Sequence, residues 1–517
     1  MTSFENNKPR RIIPRWHSVE RALRQGELRS LRPKTDVPEK EIVAELTALE
    51  QEWLETKTLG AAAELVGAAH VIGERPSTAD AARQLAEADT VPAAAREAAD
   101  LVLRRGDDVA DAEPGLAEAA TALAPEEHRA RAVAEISRLR ASLRREPRQP
   151  LAWVELARRY ESLNQRQQAA NAMAMALRLA PDNRFVLRSF SRLAVHHDDP
   201  ERGHALLASS PRTRSDPWLL AGEIATASVA NRQSRLIKHA RRVIESGRFK
   251  PTDVAELASA LATEELQADG RKKARKLFEQ ALIDPTENAV AQADWATRQY
   301  NGGFGLKPEH LETPDSFEAR AHKAAEEGEW LEATANSWFW LASLPFAAAP
   351  GVFGSYQASV GGDFEQAAAI ARAALLANPD EFMLHNNLAF SLLELDRVPE
   401  ALDHLTAMER LKKTELDETI SLATHGLLAF RQGNPEEGRA LYSESIRQAT
   451  DTGVAAAAQL ELAVEETLAE TPFAATAIAS ALAILERPPS TNLIRASSLR
   501  LLAQRLDAVR ERRPSSR

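Results

Sequence analysis

Proline recurs along this chain at nearly constant intervals. The intervals are 34 or 36 residues in two series, Pro147, Pro181, Pro217, Pro251 and Pro285, then Pro345 and Pro379. Inside a helix, proline removes a hydrogen bond and clashes with the preceding turn, so evenly spaced prolines separate helical units of similar size. The spacing therefore predicts a chain of repeated helical units.

The stretch between two of these prolines shows what each unit contains. Trp153, Leu156 and Tyr160 lie three or four residues apart, and Ala169 and Met173 repeat that spacing further along. Apolar residues at this spacing occupy one face of a helix. Each unit is therefore predicted to be two amphipathic helices joined by a turn.

These residues resemble the tetratricopeptide repeat, in which Trp, Leu, Gly and Tyr mark the first helix and Ala, Phe and Pro mark the second. Residues 314–347, 348–381 and 382–415 show the same resemblance. It implies an all-α fold, a right-handed α-solenoid of helix-turn-helix repeats. The content of 5% aromatic residues agrees with closely packed helices rich in small residues. Ala157, Ala321, Ser355 and Ala389 are expected where paired helices approach most closely.

The pattern weakens at several places, and these define the expected domains. A glycine-rich stretch from Asn301 to Gly305 predicts an irregular joint. Upstream of Pro147, a divergent continuation of the array and a separate helical domain both stay open. The expected segments are a basic arm (1–35), an alanine-rich helical region (36–147), repeats (150–300), the joint (301–313), repeats (314–452), and carboxy-terminal helices ending in a polar cap (453–517).

Several functional classes are disfavoured by what the sequence lacks. The chain has no cysteine, which excludes disulfides, thiol nucleophiles and cysteine-ligated metals. We expect no catalytic residues, cofactor or metal. The run from His196 to Asp199, followed by His204, contains metal-capable groups but coincides with a turn between helices. No signal peptide or membrane span is recognisable, so a cytoplasmic protein is expected.

Charge is distributed in alternating blocks. Residues 1–35, 36–130, 131–250 and 251–517 carry net charges of +6, −13, +12 and −15, although the whole chain carries −10. Blocks of opposite sign either bind partners, pair with each other across the superhelix, or are solvated separately.

The resemblance also implies which side chains line the concave groove formed by the first helices. In the basic block these are Arg158, Arg188 and Arg192, whose guanidinium groups suit carboxylates or phosphates. The alternative is that each is separately solvated. In the later repeats the set is largely apolar and suits a peptide or helix, although some members equally fit the core: Tyr356, Asn386, Phe390, Leu393, Leu427 and Phe430.

The amino-terminal arm combines basic residues with an aromatic one, through Arg10, Arg11, Arg15 and Trp16. Such an arm is suited to nucleic acid, to an anionic surface or to the acidic block that follows. Docking of a disordered tail on its own solenoid is the alternative.

Three functional hypotheses follow. The leading one is a non-enzymatic scaffold or adaptor that binds partner proteins through its concave groove. The second is a nucleic-acid-associated regulatory protein that uses the arm and residues 131–250. An enzyme comes third, because no titratable residues converge in the sequence.

Overall fold

The fold is taken from a computed structural model of the chain. It describes residues 13–24, 27–28, 39–71, 75–88, 91, 95–96, 98–100, 102–103, 125–300, 302–486 and 494–511. Regular structure in these residues is helical, and no strand occurs among them. The predicted all-α solenoid of helix pairs is confirmed.

Further helices precede the repeats. They are α1 (Val19–Arg24), α2 (Glu39–Thr56), α3 (Leu59–Val71), α4 (Thr78–Glu87) and α5 (Pro125–Arg145). The helices α2, α3 and α4 share a core that includes Trp53, Leu65 and Leu85. The described residues 95–96, 98–100 and 102–103 are also helical.

From Pro150 onward the described residues form nine helix pairs. In each pair the two helices contact each other, and within the first four pairs and the last five each pair packs against the next. The first four pairs are α6 (Pro150–Glu161) with α7 (Arg166–Leu179), α8 (Arg184–His196) with α9 (Pro200–Ser209), α10 (Pro217–Val229) with α11 (Ile237–Glu245), and α12 (Pro251–Gln267) with α13 (Arg271–Ala281).

An irregular segment separates these four pairs from the remaining five. A single helix, α14 (Glu287–Gln299), is followed by the short α15 (Pro308–Leu311). The later pairs are α16 (Phe317–Glu327) with α17 (Trp330–Ser343), α18 (Ala348–Val360) with α19 (Phe364–Leu375), α20 (Phe382–Glu394) with α21 (Val398–Leu411), α22 (Glu415–Arg431) with α23 (Pro435–Gln448), and α24 (Thr452–Leu468) with α25 (Ala474–Glu486). A last helix, α26 (Ala496–Glu511), follows them.

Proline separates the helices as the sequence predicted. Pro217 and Pro251 each occupy the first turn of a helix, where the missing N–H has no intrahelical acceptor. Pro181, Pro345 and Pro379 lie in turns that follow second helices. The proline period therefore corresponds to the period of the helix pairs.

Small residues allow the close approach within and between pairs. Ala157, Ala321, Ser355 and Ala389 are fully buried, as the resemblance implies. A Cβ built on Gly351 would lie 2.2 Å from the Cβ of Ala374, so a larger residue there would force α18 away from α19.

The predicted joint is irregular in its described residues. After α14 the chain turns through Gly305, which has a φ of +85°, and Phe304 is buried against Phe278. The helix α14 nevertheless packs on both α12 and α16, so the array continues through the joint. The domain boundaries themselves stay a prediction.

Candidate functional site: the inner face and the segments that cover it

Residues 13–24 belong to the basic arm predicted at 1–35, and from here on we call this segment the arm. It lies against the first helices of successive units. We call the surface formed by these first helices the inner face. The backbone N–H of Val19 donates to Glu155 of α6 at 3.0 Å, and the side chain of Asn288 on α14 donates to the carbonyl of Ile13 at 3.2 Å. The arm thus spans a channel between the early and middle units of the solenoid.

The basic residues of the arm form ion pairs with carboxylates of the middle units. Arg15 Nη2 lies 2.6 Å from Glu318 Oε2, and its Nε lies 3.4 Å from Glu287 Oε1. Arg21 Nε lies 2.9 Å from Asp315 Oδ2. In the described residues the arm therefore pairs with carboxylates at 287–318, and not with the acidic block at 36–130 that directly follows it.

His17 of the arm contacts two glutamates of this charged cluster, Glu27 and Glu287. Its Nδ1 lies 2.8 Å from Glu27 Oε1 and its Nε2 lies 3.1 Å from Glu287 Oε1. Burial and the charge of Arg21 lower the pKa of His17, but Glu27 and Glu287 outweigh them and raise it. The cations His17, Arg15 and Arg21 hold the pKa of Glu287 far below its usual range despite its burial. The cluster thus stabilises protonated His17 and ionised Glu287.

Trp16 anchors the arm by burial. Its side chain has no exposed surface, and its ring centroid lies 5.3 Å from that of Phe346. Burying an indole removes a large apolar area from water and stabilises the docked arm. Trp16 belongs to a core cluster that also contains Phe185 of α8 and Trp340 of α17. The arm is therefore part of the core between the early units and the later ones.

The predicted groove residue Arg158 lies on the wall of this channel. Its Nε donates to the carbonyl of Trp16 at 3.4 Å, and its Nη2 donates to the carbonyl of Ser343 at 2.9 Å. Burial lowers the pKa of Arg158 to about 10. Arg158 therefore connects the arm to the opposite wall.

Arg188 and Arg192, also predicted groove residues, lie on the inner side of α8 and are buried. Arg188 donates to the carbonyl of Trp218, pairs with Glu256, and stacks over the Trp218 ring at 4.2 Å. Arg192 lies over the Phe346 ring at 5.1 Å. Neither is separately solvated. Their assignment to the groove and their role in binding a partner stay predictions.

Other arm residues predicted from sequence are only partly within the described chain. Arg10 and Arg11 lie outside the described residues. The motif reasoning missed the carboxylates and amide that receive the arm: Glu287, Asn288, Asp315 and Glu318. Glu287 and Asn288 begin α14, Asp315 precedes α16, and Glu318 lies in the first turn of α16. The excess of acidic residues in 251–517 was the sequence feature that could have indicated where the basic arm binds.

In the carboxy-terminal half, most of the predicted apolar anchors are core residues. Leu393 and Leu427 are completely buried, and Phe430 packs on Tyr442 of α23 with ring centroids 6.2 Å apart. Asn386 accepts a hydrogen bond from Thr424 at 2.7 Å, between α20 and α22. The alternative that these residues belong to the core is therefore correct, and they offer no open surface to a partner.

Tyr356 and Phe390 are placed differently. Tyr356 packs in a cluster with residues of α26, and burial raises its pKa to about 12. Phe390 is partly buried, with its ring 6.2 Å from that of Phe364. Tyr356 therefore lies beside the last helix.

The helix α26 also covers the inner face. It packs on α16, α18 and α24, and Leu499, Leu502 and Leu506 are buried there. This helix buries its leucines along the inner face, and its expected role as a polar cap stays a prediction. Segments from near both ends of the chain therefore cover the inner face, the arm in the first half and α26 in the second.

The histidine-rich turn serves as a structural contact. His197 Nε2 lies 2.7 Å from Glu161 Oε1 and His196 Nε2 lies 3.3 Å from Glu161 Oε2. Burial raises the pKa of Glu161, but the bonds from both histidines dominate and lower it to about 2. Among the described residues, no group of three or more metal-binding side chains converges.

Comparison with solved structures gives a distant structural similarity. No family model and no curated protein matches the chain. Among solved structures, the crystal structure of the APC/C hetero-tetramer Cut9-Hcn1 is similar, with 14% identity, coverage of 95% of this chain and 96% of that chain, and a TM-score of 0.36. A likeness this distant assigns no function. The chain resembles tetratricopeptide repeat proteins in its repeat motif and its helix pairs.

None of the helices in the described part of the chain is long and apolar enough to cross a lipid bilayer.

Proposed function

We propose that this protein is a non-enzymatic scaffold that binds protein segments along its inner face. The observation that carries the proposal is the arm itself, a basic and aromatic segment held in the channel by side chains of successive first helices. A surface that recognises one such segment of its own chain has the hydrogen-bonding groups and charges needed to recognise another.

The chemistry of the channel defines the preferred segment. Glu287, Asp315 and Glu318 supply carboxylates for guanidinium groups, which pair well with them when buried. The pocket beside Phe346 accepts a large aromatic side chain. We infer that a partner segment carries arginine, an aromatic residue and a further arginine in the order of Arg15, Trp16 and Arg21.

Binding of nucleic acid is less favoured by this arrangement. Arg15 and Arg21 contact carboxylates, and Arg158, Arg184 and Arg188 are buried in contacts within the protein. The nucleic-acid hypothesis stays a prediction of the sequence, as does the cytoplasmic location. Loss of binding with rising salt would support the former, and no binding at low salt would refute it.

The scaffold proposal is tested by emptying the channel. The full chain carrying Arg15→Glu and Trp16→Ala loses both anchors of its arm while all walls of the channel stay intact. A fluorescent peptide of residues 13–28 is expected to bind this variant at least tenfold more tightly than the wild type, as measured by fluorescence anisotropy, because the wild-type channel is occupied.

Two controls accompany this measurement. The same peptide with Arg15→Glu and Trp16→Ala should not bind. In the emptied variant, Glu318→Gln should weaken binding, whereas Glu327→Gln, an exposed carboxylate on the same helix, should not. If the emptied variant keeps its helix content and fails to bind the peptide, the channel is not a binding site for protein segments.

A further inference from the structure

The helix α26 is attached to the rest of the protein through one of its faces. Leu499, Leu502 and Leu506 are buried against a cluster that includes Val360 of α18 and Leu460 of α24. Its opposite side is exposed and polar, with Arg500, Gln504, Asp507, Arg510 and Glu511. An amphipathic helix held in this way lies in a groove as a bound peptide helix does.

Near the carboxy-terminal end of α26, an arginine fixes the helix to acidic side chains of the groove. Arg505 Nη2 lies 2.7 Å from Glu394 Oε2 of α20, and its Nη1 lies 3.1 Å from Glu461 Oε2 of α24. The guanidinium group also lies over the Phe364 ring at 5.1 Å. Glu394, Glu461 and Arg505 are nearly buried, so their pairing is weakly screened by solvent.

A second arginine lies at the amino-terminal end. Arg495 Nη2 is 2.9 Å from His322 Nδ1 of α16, and its guanidinium group lies over the Phe353 ring at 5.0 Å. Glu326 and Asp294 are close enough to act on it electrostatically. Ser497 Oγ donates to the carbonyl of Ala325 at 2.5 Å and fixes the start of the helix.

Without Arg505, the groove would carry an excess of negative charge. Glu394, Glu461 and Glu465 would then share one further guanidinium group, that of Arg431. Burying carboxylates in such excess is costly unless a cation accompanies them. A helix that replaced α26 would therefore need a positive charge at the position of Arg505.

We propose that the inner face of α16, α18, α20 and α24 is a docking groove for an amphipathic helix of a partner protein, and that α26 is its internal occupant. The occupant defines the partner: a helix with leucines at the spacing of Leu499, Leu502 and Leu506, and arginines at the positions of Arg495 and Arg505. The partner helix displaces α26 by supplying the same apolar and cationic contacts. This groove shares α16 with the channel that holds the arm.

The experiment uses the full chain and a fluorescent peptide of residues 494–511 as the probe. Leu502→Asp combined with Arg505→Glu releases α26 and leaves every wall residue unchanged. The peptide is expected to bind the release variant at least tenfold more tightly than the wild type, by fluorescence anisotropy. Unchanged affinity in a variant whose α26 exchanges its amide hydrogens rapidly would overturn the proposal.

A reversible lock keeps the test decisive if the release variant fails to fold. The chain has no cysteine, and a Cβ built on Gly328 would lie 3.9 Å from the Cβ of Ser497, within the range of a disulfide. The pair Gly328→Cys and Ser497→Cys should block peptide binding when oxidised and permit wild-type binding when reduced. Gly328 has a positive φ, so the single Gly328→Cys variant controls for backbone strain. Equal binding by the oxidised and reduced forms would contradict the proposal.

Two peptides with equal net charge test the role of the arginines. Arg495→Glu with Arg505→Glu should weaken binding at least tenfold, whereas Arg500→Glu with Arg510→Glu, on the exposed side of the helix, should change it little. Equal losses for both peptides would show that the groove responds to net charge alone and would overturn the assignment of the two positions. Binding of the arm peptide of residues 13–28 to this groove would likewise contradict its specificity.

Discussion

Arg15 and Glu318 connect two points that are 303 residues apart along the chain, with Nη2 and Oε2 separated by 2.6 Å. The two side chains are 7% and 5% exposed. A buried carboxylate and guanidinium group each need the other, because removing one leaves an unpaired charge in a poorly solvated site. The pair therefore holds the arm to α16 and helps to close the early units onto the later ones.

Glu318→Gln should loosen the arm. The substitution removes a charge that neutralises Arg15 while conserving the size of the side chain, so Arg15 becomes partly uncompensated. Hydrogen exchange measured by mass spectrometry should show faster exchange in the peptide that covers residues 13–24.

The matched control for this variant is Glu327→Gln on the same helix, where the carboxylate is exposed and pairs with Lys323. Exposed pairs contribute little to stability, so exchange of the arm should stay as in the wild type. Equal exchange in the Glu318→Gln variant and the control would show that the Arg15 contact does not hold the arm.

The indole of Trp16 should contribute more than the charge pair. Trp16→Ala removes a completely buried aromatic side chain, and such truncations cost about 3–5 kcal/mol in well-packed cores. If the arm and the solenoid unfold together, chemical unfolding should show this loss as a lower free energy of unfolding. Trp16→Phe keeps most of the apolar surface, so its loss of unfolding free energy should be less than half that of Trp16→Ala. Equal losses for the two variants would mean that the buried apolar surface at this site does not determine stability.

Docking of the arm should weaken as the pH rises. The pKa of His17 is raised in the docked state above its ordinary value of 6.5. The corresponding stabilisation is therefore complete below pH 6.5 and is lost as the pH rises through the raised pKa. The affinity of the peptide of residues 13–28 for the emptied channel variant should accordingly be higher at pH 6 than at pH 9.

A peptide with His17→Asn should show a smaller change in affinity over the same pH range, because asparagine does not titrate. An equal pH dependence for both peptides would assign the effect to another group.

The repeat architecture follows from local signals in the sequence. Proline at the start of α10 and α12 and small residues such as Ala157 and Ala389 act over a few residues, so their pattern reports helix pairs directly. The contact of Arg15 with Glu318 depends on how the array curves over many units. That curvature accumulates from small rotations between pairs, and no single motif encodes it.

Which side chains line the inner face is harder to predict from sequence, for a related reason. A first helix in such an array packs against its own partner helix and against both neighbouring units, so several of its faces are apolar. Leu427 and Phe430 lie on α22 in the core between helices, although their spacing is equally suitable for a groove. Periodicity identifies a buried face but does not reveal what covers it, as with Tyr356 beneath α26.

Close packing of the repeats can be tested at Gly351. Gly351→Ala would place a Cβ 2.2 Å from that of Ala374, and overpacking of this kind costs about 1–3 kcal/mol. The control Gly67→Ala lies in α3, where no atom lies within 4 Å of the added Cβ. It should stabilise its helix by about 0.5–1 kcal/mol. Thermal unfolding should separate the two variants, and destabilisation by both would argue against the specific contact at Gly351.

Docking of α26 should also depend on pH, through Glu461. Burial is the main cause that raises the pKa of Glu461 to about 7; Arg505 and Arg431 oppose this shift, and Glu394 and Glu465 reinforce it. Release of α26 uncovers Glu461 and moves its pKa toward the ordinary value of 4.5, so docking is accompanied by proton uptake. The stabilisation is complete below pH 4.5 and is lost as the pH rises through 7. The affinity of the peptide of residues 494–511 for the release variant should therefore fall between pH 5.5 and pH 8.5.

Glu461→Gln in the release variant should reduce this pH dependence, because glutamine imitates the protonated carboxyl group at every pH. Its affinity for the peptide should stay close to the value that the unsubstituted groove shows at pH 5.5. Glu470→Gln, an exposed carboxylate just after α24, is the matched control and should leave the pH dependence unchanged. If the affinity instead rises with pH in the unsubstituted groove, pairing with Arg505 outweighs the burial of Glu461, and the sign of the linkage is reversed.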